Sequence, residues 1–362
     1  KHKGRYYLQY ACPGAEINVY ADGVYVSDHP LGPFTPAENN PFSYKPGGFL
    51  PGAGHGSTMR DTFEAFWHTS TMRISMNHVF ERRVGVWPAG FDREGNIFCN
   101  QRYGDWPMDV EKLRGNPWAD PDWMLLSYGK AATASSCEPE HPANHATDEN
   151  VQTWWRAAGN APGEWLTVDL GEAMDMRAVQ INFADDPKAD IPCPQELTPG
   201  PDMPRYIDLM EHKTRWLLET SQDGSYWETL SDKRQAETDL SHDLIMIEGC
   251  IRARYIRLTV TEVPFHVPPC VSGLRIFGKG NGQKPAQASF SARRTGDLDF
   301  IIFAEAPDAL GFCILWGSDE NHLYHSWLVM GSSVKDKRIG ALVKGQEYTV
   351  RVDAFNENGI TE

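Results

Sequence analysis

The 362-residue chain reads as an all-β protein, and three observations carry that reading. Apolar and polar residues alternate through Trp165-Leu-Thr-Val-Asp-Leu170, Ala178-Val-Gln-Ile-Asn-Phe183, Tyr255-Ile-Arg-Leu-Thr-Val260 and Tyr348-Thr-Val-Arg-Val-Asp-Ala354. Period two of this kind places one face of a strand in a core and the other in water. Gly and Pro number 32 and 25, enough for many tight turns. Only the stretch from Pro204 to Leu218 reads as helical, with Pro204 suited to a first turn.

Taken in order, the elements fall into three segments. Residues 1–115 carry aromatic strands, among them Tyr6-Tyr7, the run from Val19 to Val26, and Val84 to Gly90. From Trp106 to Trp123, Pro107, Pro117 and Pro121 predict a stiff extended connector. The second segment covers residues 125–279, and the glycine-rich run Gly278-Lys-Gly-Asn-Gly-Gln-Lys-Pro285 links it to a third, residues 285–362. The chain opens on Lys1-His-Lys-Gly4, enters a strand at once and stops at Asn358-Gly-Ile-Thr-Glu362. It is therefore read as part of a longer protein, and the lack of a leader carries no weight.

Charge excludes some partners. With 34 Lys+Arg against 49 Asp+Glu, the net charge of −15 repels phosphate backbones, so nucleic acid is not expected. No apolar run approaches the roughly 20 residues of a membrane span. The seven cysteines, Cys12, Cys99, Cys137, Cys193, Cys250, Cys270 and Cys313, form no C-x-x-C pair, which argues against a zinc or thioredoxin-like site. Buried free thiols are expected, with a disulfide among Cys137, Cys193, Cys250 and Cys270 as the alternative.

Five motifs of the second segment keep a fixed order: Ala146-Thr-Asp-Glu-Asn-Val-Gln-Thr-Trp-Trp155, Glu164-Trp-Leu-Thr-Val-Asp-Leu-Gly171, Glu219-Thr-Ser-Gln-Asp-Gly-Ser-Tyr-Trp227, Ala253-Arg-Tyr-Ile-Arg-Leu258 and Gly273-Leu-Arg-Ile-Phe-Gly278. The segment resembles an F5/8 type C (discoidin) domain, which implies a jelly-roll β-sandwich that in bacterial enzymes often binds carbohydrate. Trp165, Trp227 and Tyr255 are expected in its core. The resemblance places a sugar site on the loop from Cys137 to Trp155, with His141, Asn144, His145 and Arg156 as candidates, an aromatic face meeting sugar C–H groups while polar side chains fix the hydroxyls. It also implies a structural calcium held by Asp148, Asn150 and Thr153. The family's further carboxylate from the last strand is missing, because Ser272-Gly-Leu-Arg275 supplies none.

Leu342-Val-Lys-Gly-Gln-Glu-Tyr348, the alternation through Phe355 and the turn Asn356-Glu-Asn-Gly359 resemble a fibronectin type III domain, here expected to lack its final strand. Such a module implies a spacer without chemistry.

The first segment contains Lys3-Gly-Arg-Tyr-Tyr-Leu-Gln-Tyr10, Ser27-Asp-His-Pro-Leu-Gly-Pro-Phe34, Gly52-Ala-Gly-His-Gly-Ser57, Ala65-Phe-Trp-His68 and Glu81-Arg-Arg-Val-Gly-Val-Trp87. This ordered set is similar to the last blades of a glycoside hydrolase family 43 enzyme (β-xylosidase or α-L-arabinofuranosidase-like), whose catalytic domain is a five-bladed β-propeller. The resemblance implies a secreted, periplasmic or surface protein acting on terminal arabinosyl, xylosyl or galactosyl units of polysaccharide by inversion. Two carboxyl groups about 6.5–9.5 Å apart would flank the bond, one activating water and one protonating the leaving oxygen. By that alignment the Asp base, the Asp modulator and the Glu acid all lie upstream of Lys1, and the chain alone is expected to be inactive. Substrate contacts would fall to Glu16, Asp22, His55 and Arg83, with His55 near a water-mediated calcium, since calcium prefers oxygen to imidazole. Alternation allows only one of Arg82 and Arg83 to point inward. The alternative is a non-catalytic carbohydrate-binding or adhesion protein.

Overall fold

The computed structural model describes residues 1–14, 19–73, 82–184 and 212–362. The architecture is all-β, and the chain forms two compact units. One gathers the described residues of 1–122 together with 282–362, and the other is built on 123–281.

The first unit opens with an antiparallel sheet of β1 (Tyr6–Cys12), β2 (Ala21–Ser27), β3 (Thr35–Pro36) and β4 (Ser43–Tyr44), with β2 pairing all three others. A second sheet follows in simple order, β5 (Gly54–Arg60), β6 (Phe66–Arg73), β7 (Arg82–Phe91) and β8 (Ile97–Cys99). Alternation along β7 sends Trp87 into a core with Val24, Phe42, Met72 and Ile97, and leaves Val84 on the opposite face, 72% exposed. Gly85 is required on the packed face, where a Cβ would stand 2.3 Å from the Trp87 ring. Gln9 Nε2 donates to Thr58 Oγ1 at 2.9 Å, which ties β1 to β5.

The proline-rich connector is not extended throughout. It contains α1 (Val110–Gly115), because Asp109 accepts from the Lys112 amide at 3.0 Å as an N-cap. Upstream of it, Trp106 is buried edge-on against Phe355 at 5.4 Å.

After the second unit the chain returns to the first as seven strands: β9 to β16 belong to the second unit, so these are β17 (Ser289–Arg294) and β18 (Phe300–Glu305), β19 (Gly311–Gly317) and β20 (His325–Met330), β21 (Ser333–Ile339), β22 (Thr349–Asn356) and β23 (Gly359–Thr361). They form two sheets, ordered β17-β18-β21 and β20-β19-β22-β23. The final strand, expected to be missing, is present: the turn at Asn356-Glu-Asn-Gly359 folds β23 back onto β22 and buries Ile360. Tyr348 accepts from the Val343 amide at 3.0 Å, the hydrogen bond of a tyrosine corner. The segment shares a core with the opening sheet, in which Ala21 and Tyr44 join Phe300, Phe312, Trp316 and Val352. A spacer would stand apart from its neighbour; this segment packs against it.

The second unit comprises β9 (Met124–Leu125), β10 (Ala131–Ala134), β11 (Trp155–Arg156), β12 (Glu164–Phe183), β13 (Arg215–Ser221), β14 (Glu228–Asp232), β15 (His242–Glu262) and β16 (Cys270–Lys279). Its strands run β11-β16-β12-β15-β13-β14, with β10 added to β12 and β9 to β16. The core holds Trp155, Leu166, Val168, Trp216, Leu218, Ile256, Leu258 and Leu274.

Two expectations are corrected here. Residues 215–218 are strand rather than helix, because Trp216 and Leu218 alternate into the core in register with Val260 and Leu258; positions 204–211 lie outside the described residues. Trp165, Trp227 and Tyr255 are only half-buried and lie outside the core, whose positions are taken by Leu166, Ile256 and Leu258. Trp165 and Trp227 instead sandwich Arg257, whose guanidinium lies 4.7 Å and 3.9 Å from their ring centres. Among the described cysteines all six are free thiols; Cys99, Cys270 and Cys313 are buried, whereas Cys12, Cys137 and Cys250 are exposed. Cys193 lies outside the described residues.

Candidate functional site

In the first unit, β2 places Asp22 beneath the bulged start of β5, residues 54–57. Asp22 is 1% exposed. Its Oδ1 accepts from the His55 amide at 2.8 Å, and its Oδ2 accepts from the Gly56 amide at 2.9 Å and faces His68 Nε2 at 3.0 Å. His68, fully buried on β6, meets Thr58 Oγ1 through Nδ1 at 3.0 Å. The contacts form one chain from Gln9 through Thr58 and the His68 ring to Asp22. Gly56 is obligatory, since a Cβ would stand 2.4 Å from Asp22 Oδ2. His55 adopts φ 61° and its side chain is exposed above this network.

These positions change the expected roles. Asp22 is too buried to touch a substrate and instead positions the strand bulge that carries His55. Arg83 is exposed on β7, in register with Met72, and is not among the partners of Asp22. Glu16 lies outside the described residues. His68 has no signature in the sequence, because an isolated histidine on an alternating strand carries no spacing signal; its meaning appears only with Asp22 beside it.

In the second unit, the loop between β10 and β11 gathers the other candidates around Trp154. The His141 ring stacks on the Trp154 indole at 4.2 Å and 23°. His145 Nδ1 faces the Trp154 carbonyl at 3.3 Å. Both residues of the stack are partly exposed, but Trp154 Nε1 and His141 Nδ1 are themselves buried and have no hydrogen-bond partner. Arg156 is buried and its guanidinium is engaged by the Glu138 carboxylate, while its amide donates to the His141 carbonyl at 3.1 Å. It therefore holds the loop in shape, which corrects its expected role at a sugar hydroxyl.

The expected calcium residues also come together. Asp148 Oδ1 accepts from the Asn150 amide at 3.0 Å and Oδ2 from Thr153 Oγ1 at 2.6 Å, and the Asn150 carbonyl accepts from the Thr153 amide at 3.1 Å. Burial pushes the Asp148 carboxyl up, against those hydrogen bonds. Between them Glu149 takes φ 58° and turns its carboxylate onto Arg275 of β16.

Comparison with known proteins bears on this unit. No curated protein matches the chain. Residues 131–191 match the F5/8 type C domain family. Among solved structures, a glycoside hydrolase is similar over 76% of this chain at 20% identity with a TM-score of 0.41, and the chain spans 58% of its length. The family 32 CBM from C. perfringens NanJ, solved in complex with galactose, aligns with 43% of this chain and 98% of its own, at 17% identity and a TM-score of 0.32. Chitosan-binding module 1 from the chitosanase/glucanase of Paenibacillus sp. IK-5 aligns with 43% and 99% at 19% identity and the same score. The family match lies within the second unit and agrees with its all-β architecture.

Proposed function

We propose that the loop end of the second unit binds oligosaccharide, and that the chain serves as the carbohydrate-engaging part of a secreted or surface glycoside hydrolase. The observation that carries the reading is the His141–Trp154 stack, a partly exposed aromatic surface on a loop braced by Arg156 and Glu138. Sugars are bound by an apolar ring face together with a few polar groups that fix the hydroxyls. A glycan array carrying galactose-, xylose-, arabinose- and glucosamine-terminated oligosaccharides tests it. The chain should bind at least one class and Trp154→Ala should bind none while keeping its circular dichroism; a wild-type chain silent on every class contradicts the proposal.

The finer reading assigns the parent an inverting cleavage of terminal arabinosyl, xylosyl or galactosyl units. It rests on the resemblance of residues 1–115, and in it His55, raised above Asp22, and Arg83 face the substrate while the catalytic carboxylates come from outside this chain. The chain alone should then release no sugar from aryl arabinosides or xylosides; release above an Arg83→Ala control contradicts that assignment. A non-catalytic adhesion protein would use the same loop in the second unit. An Asp opening the first blade and a Glu shortly before Lys1 in the full coding sequence favour the hydrolase, and their absence favours the adhesion protein.

A further inference from the structure

We infer that Arg275 takes the structural place that the family resemblance gives to a calcium ion, so that the loop of residues 147–153 is built without metal. Calcium needs six to eight oxygens converging on one point, carboxylates among them. The carboxylates here are turned onto protein partners. Both oxygens of Asp148 are turned back onto the loop's own amide and hydroxyl donors. The second carboxylate, Glu149, is buried with its side chain 3% exposed, and it faces a guanidinium that is 2% exposed. Arg275 Nε donates to Glu149 Oε2 at 3.0 Å and Nη2 donates to Oε1, a two-pronged contact, while Nη1 donates to Gln180 Oε1.

The sequence and the geometry explain each other. β16 presents an arginine where the family would present a carboxylate, so a fixed positive charge already stands beneath the loop. Glu149 adopts a left-handed backbone that a non-glycine residue rarely takes, and its carboxylate thereby reaches that charge. A divalent ion added beside Glu149 would have to displace a buried guanidinium or share the carboxylate with it, and either leaves a buried charge uncompensated.

Thermal melting and calorimetric titration of the whole chain with CaCl2 and with EDTA test the inference. The wild-type melting temperature should be the same in both, and calcium should give no saturable heat. Arg275→Met should lower the melting temperature of the second unit by about 10 °C in calcium and EDTA alike. Arg275→Lys, which keeps the charge but not the fork, should lose less. A wild-type chain that is stabilised by calcium, destabilised by EDTA, or binds calcium stoichiometrically overturns the inference whatever the variants do.

Discussion

The bulged start of β5 (residues 54–57) in the first unit and the loop of residues 147–153 in the second each stand on a buried charge, but the charges have opposite sign. Asp22 is an acceptor, and it grips the bulge by the backbone amides of His55 and Gly56. Arg275 is a donor with no use for an amide, so it grips through a side chain, Glu149. The difference sets what each segment has left to offer. Gripping by backbone leaves the His55 side chain exposed for contact, at the cost of a glycine at position 56. Gripping by side chain removes Glu149 from the surface and forces a left-handed residue. In the second unit the exposed chemistry therefore shifts along the loop, to His141 and Trp154.

Removing Asp22 should break this contrast most severely. Asp22→Ala leaves two amides and His68 without their acceptor in a dry site, and such a loss costs about 3–5 kcal/mol. In urea denaturation the transition of the first unit should move by that amount while the second unit's transition stays put. A shift under about 1 kcal/mol would mean that Asp22 does not hold the bulge.

A smaller effect sharpens the contrast through pH. His322 bonds Asp319 through Nδ1 at 2.7 Å, and its Nε2 faces Glu94 at 3.6 Å and Asp92 at 3.8 Å, with the Tyr324 hydroxyl donating to Asp92 at 3.0 Å. The Asp319 hydrogen bond, aided by Asp92 and Glu94 and opposed by burial, raises the imidazole above its usual value near 6.5. A raised folded value means that this stabilisation is complete below pH 6.5 and is lost as pH rises through the raised value. The first unit should therefore lose about 1 kcal/mol or less over that rise. His322→Gln should flatten that slope, and an unchanged slope would show that other groups produce it.

How much of this was legible in the sequence depended on how local the signal was. Strand alternation announced β12, β15 and β22, and the order of five motifs announced the sandwich. What failed was long-range. Pro204, suited to a first turn, suggested a helix through Leu218, yet Trp216 and Leu218 answer to Val260 and Leu258 across the sheet. Trp165 and Trp227 looked like core, but strand parity turns Trp165 outward onto Arg257, and Trp227, just before β14, meets the same guanidinium. At the sites, residue type pointed to His55, His141 and His145, all at least partly exposed in the structure. It misjudged Asp22 and Arg156 because charged residues look exposed until their partners, His68 and Glu138, are seen. The same blindness hid Glu149, whose partner lies 126 positions away.

The central claim is that the aromatic stack on the loop of the second unit meets sugar. Isothermal titration of the intact chain with the oligosaccharide it binds best, set beside Trp154→Ala, tests that claim directly. Saturable one-site binding is expected, falling at least about tenfold in the variant, a loss of about 1.4 kcal/mol. Equal affinity in the two proteins would place the sugar elsewhere and contradict the claim.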